Sequence, residues 1–209
     1  MINRNSVARL CGAALLFATA ASLAAPSASV SDDAAVKLAT HVCSNCHGPG
    51  GNSTSPTFPK LAAQQEPYLV AQIQAFKANN ARGEQEAHDY MLGMATLIDD
   101  ATVDALARYF SRQPPPHGVA GDPSLIAKGE QLFEKGVPER NIVACATCHG
   151  KNAEGAGIFP RLAGQHAEYI ERQLHVIQDH LRKSPVMHGI IKDLKPDEMN
   201  ALASFVQSK

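Results

Sequence analysis

Cys43-Ser44-Asn45-Cys46-His47 and, 102 residues further on, Cys145-Ala146-Thr147-Cys148-His149 are two copies of one string, C-x-x-C-H. That spacing is the attachment signature of a c-type haem. Two thiols three positions apart stand about one helical turn from each other, close enough for each to add to one of the two vinyl groups of a single porphyrin. The histidine that follows is then held beneath the ring, where its imidazole takes one axial position on iron. A lone C-x-x-C also serves redox dithiols and half-zinc sites, but two copies in matching surroundings favour haem. The pattern predicts two covalently bound haem c groups, one on Cys43 and Cys46 and one on Cys145 and Cys148, with His47 and His149 as axial iron ligands.

The surroundings repeat as well. Phe58-Pro59-Lys60-Leu61-Ala62-Ala63-Gln64 is answered by Phe159-Pro160-Arg161-Leu162-Ala163-Gly164-Gln165 at an offset of 101, and Tyr68 with Tyr169 and Gln72 with Gln173 keep that offset. Tyr90-Met91-Leu92-Gly93 is answered by Val186-Met187-His188-Gly189 at an offset of 96, as is Ala105-Leu106-Ala107 by Ala201-Leu202-Ala203. Matches in this order mark an internal duplication. In the first half, helices are expected from Asp32 or Asp33 into Cys43, through Leu69, Ile73 and Phe76, and from Asp99 or Asp100 to Ser111. A loop from Asn79 to about Asp89 leads to a ligand loop at Met91. Gln113-Pro114-Pro115-Pro116 cannot continue the third helix, since proline lacks the amide donor and clashes with the preceding turn. The expected organisation is all-α: a domain over residues 32–112, a semi-rigid linker over 113–122 and a domain over 123–209, with about three main helices around each haem.

The repeat also bears on the other face of each iron. Met91, Met94 and His88 are candidates in the first half, and Met187, His188, His175 and His180 in the second. Only Met91 and Met187 occupy equivalent places, so they are expected as axial ligands, with Met94 and Met199 as packing residues. A thioether favours ferrous iron and raises the reduction potential. It also closes the second axial position, which points to electron transfer and away from substrate binding at iron. Pro59 and Pro160 are placed to offer carbonyls to the axial imidazoles. Lys60, Arg161, Tyr68, Tyr169, Gln64 and Gln165 are repeated polar groups expected near the haem edge, within reach of propionates.

Residues 1–24 carry Arg4 and Arg9, then an apolar run from Leu10 to Ala25 and small residues around Ser22-Leu23-Ala24, the three-part pattern of a cleaved secretory signal peptide. Export to the periplasm is therefore expected. The fifth cysteine, Cys11, lies in this leader, so no pair is left for a disulfide. The net charge of -1 and the absence of a broad basic surface point away from nucleic acid. Trp is absent and aromatic residues make up 5% of the chain. A half of about 85 residues is marginal alone, and a buried porphyrin supplies the missing apolar centre.

Taken together, the two C-x-x-C-H strings, the twofold F-P-(K/R)-L-A-x-Q, the later tyrosine and the Met-x-Gly resemble the dihaem cytochrome c4 family of bacterial class I cytochromes c over essentially the whole mature chain. The resemblance implies two cytochrome c domains about a pseudo-two-fold axis, with haem propionates facing across the interface. It also implies a periplasmic electron carrier with redox-protein partners, passing electrons from a respiratory donor to a terminal oxidase, with peripheral membrane association and a monomeric state. Two other readings stand beside it: the electron-accepting subunit of a periplasmic dehydrogenase, and a dihaem peroxidase, which needs one open iron. Residues 32–112 carry a net charge of -3 and residues 122–209 are neutral, so the molecule has a dipole that orients docking. Electron-transfer rates with an acidic and a basic partner protein are expected to show different slopes against salt; identical slopes would remove the dipole from the account.

Overall fold

In a computed structural model of the protein, the described residues are 32–78 and 86–209. The expected leader (1–24) and most of the loop expected after Asn79 lie outside them. The first domain is built from α1 (Asp32–Leu38), α2 (Ser44–His47), α3 (Glu66–Lys77), α4 (Glu86–Thr96) and α5 (Asp100–Ser111). The second has α6 (Pro123–Lys135), α7 (Ala146–His149), α8 (Ala167–Gln178), α9 (Pro185–Ile191) and α10 (Pro196–Gln207). Among the described residues there is no strand, only isolated bridges between Val137 and Ile142 and between Ala156 and Phe159. No described helix is long and apolar enough to cross a membrane.

Local chemistry sets the helix ends. Asp99 accepts from the Thr102 amide at 2.7 Å and Asp122 from the Ser124 amide at 2.7 Å, so each carboxylate satisfies a donor that the first helical turn leaves unpaired. Pro123, Pro185 and Pro196 stand in first turns, where no amide donor is needed. The two halves approach their cysteines differently. In the first, α1 runs through a single π turn, Ala39–Cys43, straight into α2. In the second, α6 stops at Lys135, and a loop pinned by the Val137–Ile142 bridge carries the chain to Cys145.

The methionine-bearing segments are helices, not the loop expected from the sequence. Met91 lies within α4 and Met187 within α9. Residues 86–96 contain no proline, and their one glycine, Gly93, has open space around it; such a glycine weakens a helix by about 1 kcal/mol without breaking it.

In each domain the first and last helices cross. The α1–α5 contact is made by small side chains, with Ala35, Ala39, Ala105 and Ala107 all buried. The α6–α10 contact is closer: a Cβ at Gly129 would lie 2.0 Å from the Ala201 carbonyl oxygen, so only glycine fits. Around that crossing pack Phe133, Ile191, Met199 and Phe205, each 1% exposed or less. The linker lies along the end of the second domain, where the Val119 amide donates to the Gln207 carbonyl at 2.9 Å.

The loop after each haem string is tied to the last helix of its own domain. The Ala63 amide donates to Phe110 O at 2.9 Å, and the Gly164 amide donates to Val206 O at 2.8 Å. Both residues are left-handed, with φ of 54° at Ala63 and 74° at Gly164. A Cβ at Gly164 would also lie 2.8 Å from the Pro116 carbonyl oxygen in the linker. Left-handed backbone costs a non-glycine residue about 1–2 kcal/mol, part of which glycine returns through its freer unfolded chain. Ala63→Gly should therefore stabilise the protein by up to about 1 kcal/mol, and Gly164→Ala should destabilise it by about 2 kcal/mol or more. Denaturant titration of the two variants reads both signs, and equal effects would show that the backbone at 63 is unstrained.

Candidate functional site

The two histidines that close the C-x-x-C-H strings are the most enclosed polar groups of their segments, with His47 7% and His149 5% exposed. The His47 Nδ1–H donates to the Pro59 carbonyl at 2.8 Å, and the His149 Nδ1–H to the Pro160 carbonyl at 3.0 Å. A carbonyl can only accept, so each bond fixes the tautomer: the proton is on Nδ1 and the lone pair on Nε2. Burial lowers the pKa of both imidazoles, against the opposing pull of the carbonyls. Both rings are thus neutral donors. His149 Nε2 is buried with no hydrogen-bond partner, a costly position unless something else takes its lone pair.

The thiols of the two strings lack the activation that a redox dithiol needs. None of the four is in a disulfide. Burial raises the Cys43 thiol above its ordinary range and pushes the Cys145 thiol up to about 11. A working dithiol needs the opposite shift. An enclosed neutral imidazole with an unclaimed nitrogen, beside two thiols one helical turn apart, is the donor set that covalent haem requires. Arg161 adds a further fit, because its Nε is buried without a partner and suits a carboxylate such as a haem propionate.

Met91 and Met187 are both half-buried, and Met187 packs against the second core. Met199 is fully buried, as a packing residue should be, whereas Met94 is 38% exposed and packs little. The side chain of His88 lies outside the described residues. His188 donates from Nδ1 to the Ile177 carbonyl at 3.1 Å and stacks on His180, the ring centroids 3.5 Å apart. His175 lines an open groove beside α8 with Glu171 and Asp179.

The repeated glutamines do something the sequence did not reveal. Gln64 donates to Arg161 O at 3.0 Å and accepts from the Arg161 amide at 2.7 Å. Gln165 donates to Lys60 O at 3.0 Å and accepts from the Lys60 amide at 2.9 Å. Each side-chain amide thus clips the backbone of the opposite domain, and the two clips are equivalents of one another. Gln65 donates to Glu154 O and His166 to Ser53 O, each at 3.0 Å, which is a second equivalent pair. Lys60 Nζ reaches Gly164 O at 2.7 Å. These reciprocal bonds define a pseudo-two-fold interface. Exact repetition at one offset was the available signal for the glutamines, because solvated helix faces have no reason to keep both copies. Arg182, which joins the domains near Tyr68, gave no such signal, since it falls where the offset changes from 101 to 96.

The family model described as Cytochrome c matches the chain twice, over residues 33–113 and 126–209. Cytochrome c4 of Azotobacter vinelandii is 38% identical over 186 residues, 84% of this chain and 88% of the relative. The thiosulfate dehydrogenase electron acceptor of Thiomonas intermedia (strain K12) is 36% identical over 174 residues, 80% of this chain and 78% of that one. The crystal structure of reduced recombinant cytochrome c4 from Pseudomonas stutzeri superposes with a TM-score of 0.77 at 36% identity, over 85% of this chain and 98% of the other.

Gln165→Ala strands the amide and carbonyl of Lys60, and Gln64→Ala those of Arg161. Each should cost about 1–3 kcal/mol, and calorimetry is expected to show the two domains unfolding less cooperatively. A loss below about 0.5 kcal/mol would mean that the clips add little beyond what water supplies.

Proposed function

Since the chain belongs to the cytochrome c family, in its two-domain cytochrome c4 group, and carries two covalent haem c groups, we propose that it is an exported electron shuttle of the periplasm with both irons closed to substrate. In this reading Cys43 and Cys46 anchor the first haem, and Cys145 and Cys148 the second. His47 and Met91 are the axial pair in the first domain, His149 and Met187 in the second. Haem, when bound, supplies an iron that alternates between ferric and ferrous. The protein's part is to fix the ligands and shield the centre. The Pro59 and Pro160 carbonyls hold each imidazole at one tautomer and orientation. The thioethers of Met91 and Met187 would complete the hold on each iron, favouring its ferrous state and closing it to a reactant. The observation that carries this reading is the recurrence of the same histidine–proline bond in both halves, with a methionine at the equivalent place in each.

The donor is a respiratory protein and the acceptor a terminal oxidase in the first form of the proposal. The Thiomonas intermedia relative, by its name an electron acceptor for thiosulfate dehydrogenase, supports a second form, in which a periplasmic dehydrogenase is the donor. Rapid reduction of the holoprotein by such an enzyme and its substrate would favour the second form. Rapid oxidation by a terminal oxidase without it would favour the first.

Met91→Ala and Met187→Ala test the ligand assignment. Each should remove about half of the ferric sulfur-to-iron charge-transfer band and lower the potential of one haem on the order of 100 mV, within the ~0.8 V range that axial ligands span. An unaltered spectrum in either variant would cost that methionine its role.

A further inference from the structure

One guanidinium stands where equivalent side chains of the two domains converge. Tyr68 and Tyr169 hold equivalent places on α3 and α8, as do Gln72 and Gln173 one turn later. All four turn to Arg182. Its Nη2 donates to Tyr68 Oη at 2.9 Å and to Gln72 Oε1 at 2.5 Å, both in the first domain. Its Nη1 donates to Gln173 Oε1 at 2.5 Å in the second, where the Tyr169 phenol lies close enough to interact with it electrostatically. A group that bonds both members of one symmetry-related pair, Gln72 and Gln173, lies at the pseudo-two-fold axis. The planar fork of arginine, with five donors, can serve four acceptors at once, where an ammonium with three cannot.

These four partners are neutral. Burial works against the Arg182 charge, but a guanidinium does not give up its proton in a protein, so the cation persists. Burial likewise pushes the Tyr169 phenol above its ordinary range, which keeps it un-ionised at neutral pH. A half-buried cation held by dipoles keeps its field over longer distances than one fully in water. Oxidising an iron adds a positive charge, so a fixed cation nearby resists oxidation.

We propose that Arg182 is a fixed positive charge held in common by the two haem centres, favouring the ferrous state in both. This rests on the two-haem reading above. Because it stands at the pseudo-two-fold axis, it bears on both centres alike, and the two potentials rise together.

The test is a spectroscopic redox titration of the holoprotein with Arg182→Lys and Arg182→Gln, together with amide hydrogen exchange at Lys60 and Arg161, whose amides report the assembled interface. In Arg182→Gln both haems should be roughly tenfold more ferric at a fixed ambient potential, with exchange at those two amides unchanged. Arg182→Lys keeps the charge and should titrate close to wild type. Equal shifts in the two variants, a shift at one haem alone, no shift, or faster exchange accompanying the shift would each overturn the proposal. Should Arg182→Gln fail to assemble, Tyr68→Phe decides. Loosening the first domain's grip should widen the gap between the two potentials, and an unchanged gap overturns the shared role. The wild-type ferric spectrum separates the two failures. A missing sulfur-to-iron band there sinks the ligand assignment, whereas altered titrations with that band intact bear on Arg182 alone.

Discussion

The bond from the histidine of each C-x-x-C-H string to a proline carbonyl is the constraint on which the rest of the structure turns. It sets the tautomer that leaves Nε2 free, and it fixes where the loop after the haem string must run. The next residue in that loop, Lys60 or Arg161, gives its amide and carbonyl to a glutamine of the other domain. Three residues further on, Ala63 or Gly164 ties the loop to the last helix of its own domain. Ligand orientation, domain closure and domain pairing therefore share one stretch of seven residues. A disturbance at the interface is felt at the imidazole with a single carbonyl between them.

The parts of this arrangement that chemistry dictates locally were readable in the sequence. Two thiols and an imidazole must be at fixed spacing to hold one porphyrin, so Cys43, Cys46 and His47 declare themselves, and a second copy removes the ambiguity. The carbonyl role of Pro59 and Pro160 followed from their distance along the chain. The all-α, two-domain architecture followed from the duplication. What stayed hidden depends on partners far apart in sequence. Gln64 and Gln165 look like haem-edge residues until the opposite backbone is seen. Met94 shares helical spacing with Met91 yet lies at the surface, because helix α4 and not a loop carries both. Gly93, the one glycine of that helix, sits where nothing crowds it.

The halves are equivalent at their shared face and different away from it. The first core relies on alanines at the crossing of its end helices, whereas the second is filled by Phe133, Ile191, Met199 and Phe205. The second also carries the loop before Cys145, fastened by Arg140 to Glu198 and to the Asp193 carbonyl. Burial raises the Glu198 carboxyl, but Arg140 and the Lys195 amide outweigh it and hold it below the usual range. Two haem-binding strings of one pattern are thus set in unlike surroundings, which lets one scaffold present two different outer faces.

The reciprocal glutamine clips have a consequence for how such a chain arises. Each half offers both the side-chain amide and the backbone it grasps, so the contact is isologous, the kind that two identical one-haem subunits form with each other. Covalent fusion through the segment between α5 and α6 replaces an encounter in solution with an intramolecular one, at an effective concentration typically in the millimolar range for a short tether. Once the copies are joined, the face between them is freed from strict symmetry. His166 can stand where its counterpart is Gln65, and one arginine can serve positions that a symmetric pair would have to occupy twice.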